Sequence, residues 1–173
     1  VACIMLGPRT GFPKKPMMPH NLPMTVTGAA MLWVGWFGFD GGSALGANGD
    51  AASALVVTQI SAATATLVWM FVEWAKHGKP SMLGAATGAI AGLAAITPAS
   101  GSVGPVGALV IGALSGFICW WASTVLKLKL GYDDSLDVFG VHGVGGFIGT
   151  IMLGVFMAPA FGGVGGEGFS IGK

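Results

Sequence analysis

From residue 51 to residue 72 the chain carries no charged side chain, and comparable apolar runs occupy residues 22–39, 81–97, 105–126 and 137–157. Each run is close to the roughly 20 residues a helix needs to cross the hydrocarbon of a bilayer. In that medium a backbone must satisfy its own hydrogen bonds, and a helix does so within one segment. With 173 residues there is room for five such crossings plus short connections. The class is therefore an all-α, polytopic membrane protein. Composition agrees: 9% of residues are charged, against roughly 25% in a soluble domain, and mean hydropathy is +0.77. The 31 glycines lie largely inside apolar runs, where they serve close helix packing or an open path.

The connections give the chain a direction. Residues 1–21, which hold Arg9, Lys14, Lys15 and four of the prolines, read as a loop outside the bilayer. Residues 22–161 form the five-helix unit, and 162–173 a glycine-rich tail with Glu167 and Lys173. Alternating spans put Arg9, Lys14, Lys15, Lys76, Lys79, Lys127 and Lys129 on one side and only Lys173 on the other. By the positive-inside rule the first side is cytoplasmic, so the N-terminal end starts in the cytoplasm and the tail emerges outside a cell membrane. A formal net charge of +1 without a basic run gives no sign of nucleic acid. Cys3 and Cys119 read as free thiols. No metal-ligand spacing, phosphate loop or nucleophile set is legible, so the chain does not read as an enzyme and no cofactor is expected.

Within the last apolar run stands His142. An ionisable group at that depth costs several kcal/mol unless it faces a cavity or a partner, which makes it the leading functional candidate. On a regular helix Val138, Gly145, Gly146 and Gly149 share its face, leaving room beside the imidazole. The same glycines also suit close approach of a neighbouring helix, with His142 merely bonding across the contact. On the first run, Leu32, Trp36, Phe39 and Ser43 fall on one helix face and lead toward the outer end. Such a face can hold a small cation through π attraction and a hydroxyl. Gly35, Gly38 and Gly42 form a second face suited to packing. Asp40 reads as a solvated or capping carboxylate, and Asp137 as the cap that starts the last span and aims His142.

The segments WFGFDGGSALGANG, PHNLPM, GKPSMLGAATGAIAGLAAITPASG and DVFGVHGVGG resemble, in order, the ammonium transporter (Amt) family. The resemblance implies the second half, helices six to ten, of an eleven-helix fold built from two inverted five-helix repeats and assembled as a homotrimer. It implies that His142 is the second of twin pore histidines, Phe39 the lower gate phenylalanine and Ser43 the outer recruitment serine, with Leu32, Trp36 and Val138 lining the pore. Asp40 departs from the asparagine many members carry. The implied substrate is ammonium, conducted as ammonia, and a PII-type signal protein is an implied cytoplasmic partner. A Rhesus-type ammonia channel and an ammonium-sensing receptor are the alternative readings.

The orientation has a direct check in intact cells. A cysteine placed at position 76 should resist an impermeant external thiol reagent and react once the membrane is opened, whereas one at position 50 should react from outside. Labelling at position 76 in intact cells would reverse the topology.

Overall fold

The computed structural model describes residues 1–15 and 17–165; the tail beyond Gly165, with Glu167 and Lys173, lies outside the described residues. The chain is helical throughout: α1 (Ala2–Leu6), α2 (Leu22–Gly42), α3 (Gly49–His77), α4 (Met82–Ile96), α5 (Pro105–Trp121), α6 (Lys127–Leu130) and α7 (Val144–Phe156). A 3-10 turn, Thr97–Ala99, prolongs α4. A π-helical turn, Ala122–Leu126, joins α5 to α6, and a second, Phe139–Gly143, leads into α7. Among the described residues, five helical segments are long and apolar enough to cross a membrane: Leu22–Gly42, Gly49–His77, Met82–Ala99, Pro105–Leu130 and Phe139–Phe156. They coincide with the five runs read from the sequence.

Local chemistry sets the boundaries. The side chains of Asn21, Asn48 and Ser81 accept hydrogen bonds from Met24 N, Ala51 N and Gly84 N, satisfying amides at the starts of α2, α3 and α4. Pro105 begins α5, where its missing N–H costs nothing. Gly78 and Gly131 end α3 and α6 in the left-handed region, which a side chain would strain. One boundary differs from the expected loop over residues 1–21. The chain opens with the helical turn α1, because the prolines that forbid a helix come only after Gly7.

Packing centres on α3, which touches α2, α4 and α5. Ser61 and Ala65 of α3 are fully or almost fully buried between Gly88 and Gly92 of α4 on one side and Gly112 and Gly116 of α5 on the other. A Cβ on Gly92 would stand 2.5 Å from the Ser61 carbonyl oxygen, and one on Gly112 would stand 2.6 Å from the same atom. Both helices thus press their glycine faces on one turn of α3. This is small-residue packing at i, i+4 spacing, which replaces hydrophobic driving force in a membrane with close van der Waals contact. Ser61 adds a bond from its Oγ to the Gly92 carbonyl at 2.9 Å.

Helix α7 uses the same device against α4. A Cβ on Gly149 would collide with the Ala95 carbonyl, and Gly145 faces Ala91 O and Cys119 Sγ, both 3.5 Å from where its Cβ would stand. Helix α2 does not. Gly35, Gly38 and Gly42, expected to be its packing face, have open space beside them, and the glycine that makes contact is Gly41, against Leu55. Only Asp40 and Gly41 of α2 are buried. Polar contacts do the holding instead: Trp33 Nε1 donates to Gln59 Oε1 at 3.1 Å, Trp36 Nε1 to Thr97 Oγ1 at 2.6 Å, and Thr58 Oγ1 to Asp40 Oδ2 at 2.7 Å. Asp40 is therefore not the solvated carboxylate expected from its place near a helix end; at 3% exposure it is an internal anchor.

At one end, Arg9 grips Asp133 with Nη2 to Oδ1 at 2.6 Å, Nε to Oδ2 at 2.8 Å and its backbone N to Oδ2 at 2.7 Å. The bidentate guanidinium holds the Asp133 carboxyl down to about 2, so the pair stays ionised at any physiological pH. This ties the first segment to the connection between α6 and α7.

Gly149→Ala should cost about 1–3 kcal/mol of stability by overpacking, whereas Gly146→Ala, with nothing within 4 Å of the added carbon, should cost little. Melting of the two variants in the same detergent checks this. Equal loss in both would remove close α7–α4 approach as the cause.

Candidate functional site

The site begins with an irregularity in the helix that carries it. His142 lies in the π turn Phe139–Gly143. A π turn accommodates an extra residue, so side chains after it are rotated relative to those before it and a regular 100° projection fails across it. The single glycine strip expected beside His142 is accordingly divided. Gly145 and Gly149 are buried against α4, while His142 is exposed and only Gly146 has open space beside it.

Two features hold this turn. Its first amide, Phe139 N, donates to Asp134 Oδ2 at 2.7 Å, and Gly140 lies against Ser123 in the other π turn, so closely that a Cβ would strike Ser123 Oγ. The capping role expected of Asp137 thus belongs to Asp134. Asp137 has φ 53° and directs its carboxylate to Lys127 Nζ, while its carbonyl accepts Val141 N at 2.8 Å. Burial pushes the Asp137 carboxyl up, and the Lys127 ammonium partly opposes this. A sequence offers no way to choose among Asp133, Asp134 and Asp137, since each stands near the helix start.

The rings of Trp36 and His142 face each other across α2 and α7 with centroids 6.3 Å apart and planes 14° from parallel. Phe39 meets the other side of Trp36 edge-on at 6.0 Å and 79°. Leu32, Trp36 and Phe39 line one trough of about 620 Å³. Leu32 and His142 share a second hollow of about 320 Å³ between α2, α4 and the π turn before α7. Val138 and His142 border a third of about 620 Å³, reached by α1 through Cys3 and Ile4. Five of the residues singled out in the sequence therefore lie along one continuous face, and it is open: Leu32, Phe39 and Val138 are 54%, 62% and 52% exposed.

Ser43 falls outside that face. Its Oγ donates to the Phe39 carbonyl at 2.9 Å, and it borders a separate small hollow with Asp40, Asp50 and Ser100. Thr97 joins the site unforeseen. A threonine in an apolar run ordinarily bonds its own helix, as Thr97 Oγ1 does to Leu93 O at 2.9 Å, and only the packing shows that it also receives Trp36. His20 and His77 are exposed and line none of the three hollows of this face.

Five apolar spans among the described residues, with an imidazole facing an indole on one open face, define a polytopic membrane protein. The chain belongs to the Ammonium Transporter Family, whose model matches residues 1–172. It is 47% identical over 163 residues to an ammonium transporter of Aquifex aeolicus, covering 94% of this chain and 38% of that protein. It is 50% identical over 161 residues to ammonium transporter Amt1 of Archaeoglobus fulgidus, covering 93% and 41%. Among solved structures, Mep2 of Saccharomyces cerevisiae superposes with a TM-score of 0.82 at 38% identity, over 92% of this chain and 36% of Mep2. A structure described as a sensor Amt protein gives 0.84 at 34% identity, over 92% and 41%. The chain thus spans about two fifths of the length of the relatives it matches.

Asp134→Ala should destabilise the protein by about 0.5–2 kcal/mol by leaving the first amide of the π turn, Phe139 N, without its acceptor. The mobility of that turn should rise with it, measured by hydrogen exchange at residues 139–143. Unchanged exchange would show that Ser123 and Gly140 hold the turn unaided.

Proposed function

We propose that this chain forms one half of an ammonium transporter, contributing the wall of a passage that runs along α2 and α7 from Phe39 past Trp36 to His142. The observation that carries the reading is the facing of Trp36 and His142 at 6.3 Å on an open, otherwise apolar surface. Family membership supplies the substrate class. The remaining three fifths of the protein, judged from the relatives' length, closes the face.

The physical problem is to pass ammonium and refuse potassium, a cation of similar size that neither donates hydrogen bonds nor loses a proton. A narrow, poorly hydrated passage solves it. Ammonium gathers at the aromatic mouth by π attraction from Phe39 and Trp36. It gives up a proton to water at the mouth, and ammonia crosses an apolar stretch in which a bare ion would lose its hydration. His142 offers that neutral molecule a hydrogen-bonding station where Leu32 and Val138 offer none. Ser43 gives its hydroxyl proton to the Phe39 carbonyl, which leaves its lone pairs to accept from ammonium at the outer end. The lysine-rich connections face the cytoplasm, three copies assemble with one passage each, and Lys76, Lys79 and Lys127 present the basic surface for a PII-type protein. A second reading, ammonium sensing, draws support from the likeness to the sensor Amt structure, and transport by the full-length protein separates the two.

In the full-length transporter, His142→Ala should lower ammonium flux by about tenfold or more, the loss of a polar station in an apolar passage, with melting little changed. His142→Glu should admit potassium current, since a carboxylate stabilises a cation in low dielectric. Normal flux and selectivity in His142→Ala, with reduced stability alone, would refute the passage assignment.

A further inference from the structure

Helix α2 carries Leu32, Trp36 and Phe39 on its open face, and only Asp40 and Gly41 are fully buried, while Val26, Ala29, Trp33 and Phe37 are half-buried against the rest of the chain. A helix seated by so little packing can roll about its axis, and at 100° per residue a small roll moves an indole by ångströms. Something must fix the rotation. Asp40 stands one turn beyond Trp36 and points inward, where Thr58 Oγ1 of α3 donates to Oδ2 at 2.7 Å. Thr97, in the 3-10 turn after α4, gives its proton to Leu93 O and accepts from Trp36 Nε1 at 2.6 Å. Two bonds one turn apart thus tie α2 to α3 and to the turn after α4, with the His142 ring stacked on Trp36.

We propose that Asp40 is a positioning residue of the passage: its bond from Thr58, together with the Trp36–Thr97 bond one turn away, sets the rotation of α2, and with it the gap between Trp36 and His142 that distinguishes ammonium from larger amines. The proposal rests on the passage reading given above. The carboxylate acts through its acceptors and shape, since the buried Thr58 hydroxyl has a proton to give and needs an acceptor to receive it. Asparagine keeps such an acceptor on its carbonyl oxygen; leucine keeps the volume and loses both acceptors. Likewise Thr97→Ser keeps the hydroxyl that Trp36 requires, and Thr97→Val keeps the shape without it.

The test uses the full-length transporter, reconstituted in vesicles, with the ratio of methylammonium to ammonium flux as readout. Asp40→Leu and Thr97→Val should each shift that ratio by about threefold, the typical weight of one interhelical bond in a membrane, and the double variant should shift it less than the product of the two. Asp40→Asn and Thr97→Ser should stay near the parent ratio. A general loss of folding lowers both fluxes together and leaves the ratio in place, so unchanged ratios in Thr97→Val and Asp40→Leu, or in Thr97→Val alone if Asp40→Leu fails to fold, overturn the proposal. An Asp40→Asn shift as large as that of Asp40→Leu also overturns it, because charge and not anchoring would then be the cause. His142→Ala is measured alongside. If it leaves flux intact, the passage reading falls and the proposal with it; if it abolishes flux while the Asp40 and Thr97 ratios hold, only the proposal falls.

Discussion

Everything in this molecule hangs on the approach of two glycine faces to one turn of α3. Ser61 and Ala65 sit between Gly88 and Gly92 of α4 and Gly112 and Gly116 of α5. Lipid tails are as apolar as leucine, so helices in a bilayer gain little by burying hydrocarbon and must gain it by fitting closely. A methyl group at Gly92 or Gly112 would meet the Ser61 backbone carbonyl, which belongs to the helix and has no rotamer by which to give way. The rigid block of α3, α4 and α5 follows, and the other spans are placed by it.

The two flanking spans are placed by different means, and the difference matters for the passage. Helix α7 joins the block by the same glycine contact, with Gly149 on the Ala95 carbonyl, which fixes its depth and leaves His142 on the uncovered side of the π turn. Helix α2 joins by hydrogen bonds that Trp33 and Trp36 donate and Asp40 accepts. A contact made by packing tolerates no change of shape, whereas one made by hydrogen bonds is directional and resists rotation. The Trp36 ring that faces the imidazole is therefore held in angle by a polar group behind it.

Much of this was legible before any coordinates. The number of spans follows from run length, and the shared side of Arg9 and Lys127 follows from alternation; Arg9 gripping Asp133 puts those two connections at one end. The stripe of Leu32, Trp36 and Phe39 and the isolation of His142 follow from periodicity and from the cost of an imidazole in hydrocarbon. Ser43 shared the stripe's spacing but not its trough, because at the last turn of α2 the face turns toward the hollow beside Asp40. Asp40 defied the rule for helix-end carboxylates because α2 ends against Leu55 and Thr58 of α3, so its last turn is covered instead of wet.

The sequence by itself determined that the chain holds five runs able to span a membrane, that charge gathers at or beyond their ends, and that one imidazole falls within the last of them. These are properties of single segments in a solvent, and each run of residues states them alone. Which glycines pack and which stay open, which of three aspartates holds the start of the last span, and whether His142 faces a ring or a neighbouring backbone were decided only by the tertiary structure. Those choices depend on the helix rotations, and rotation is set by contacts between segments distant in the chain, including a π turn that no periodicity announces.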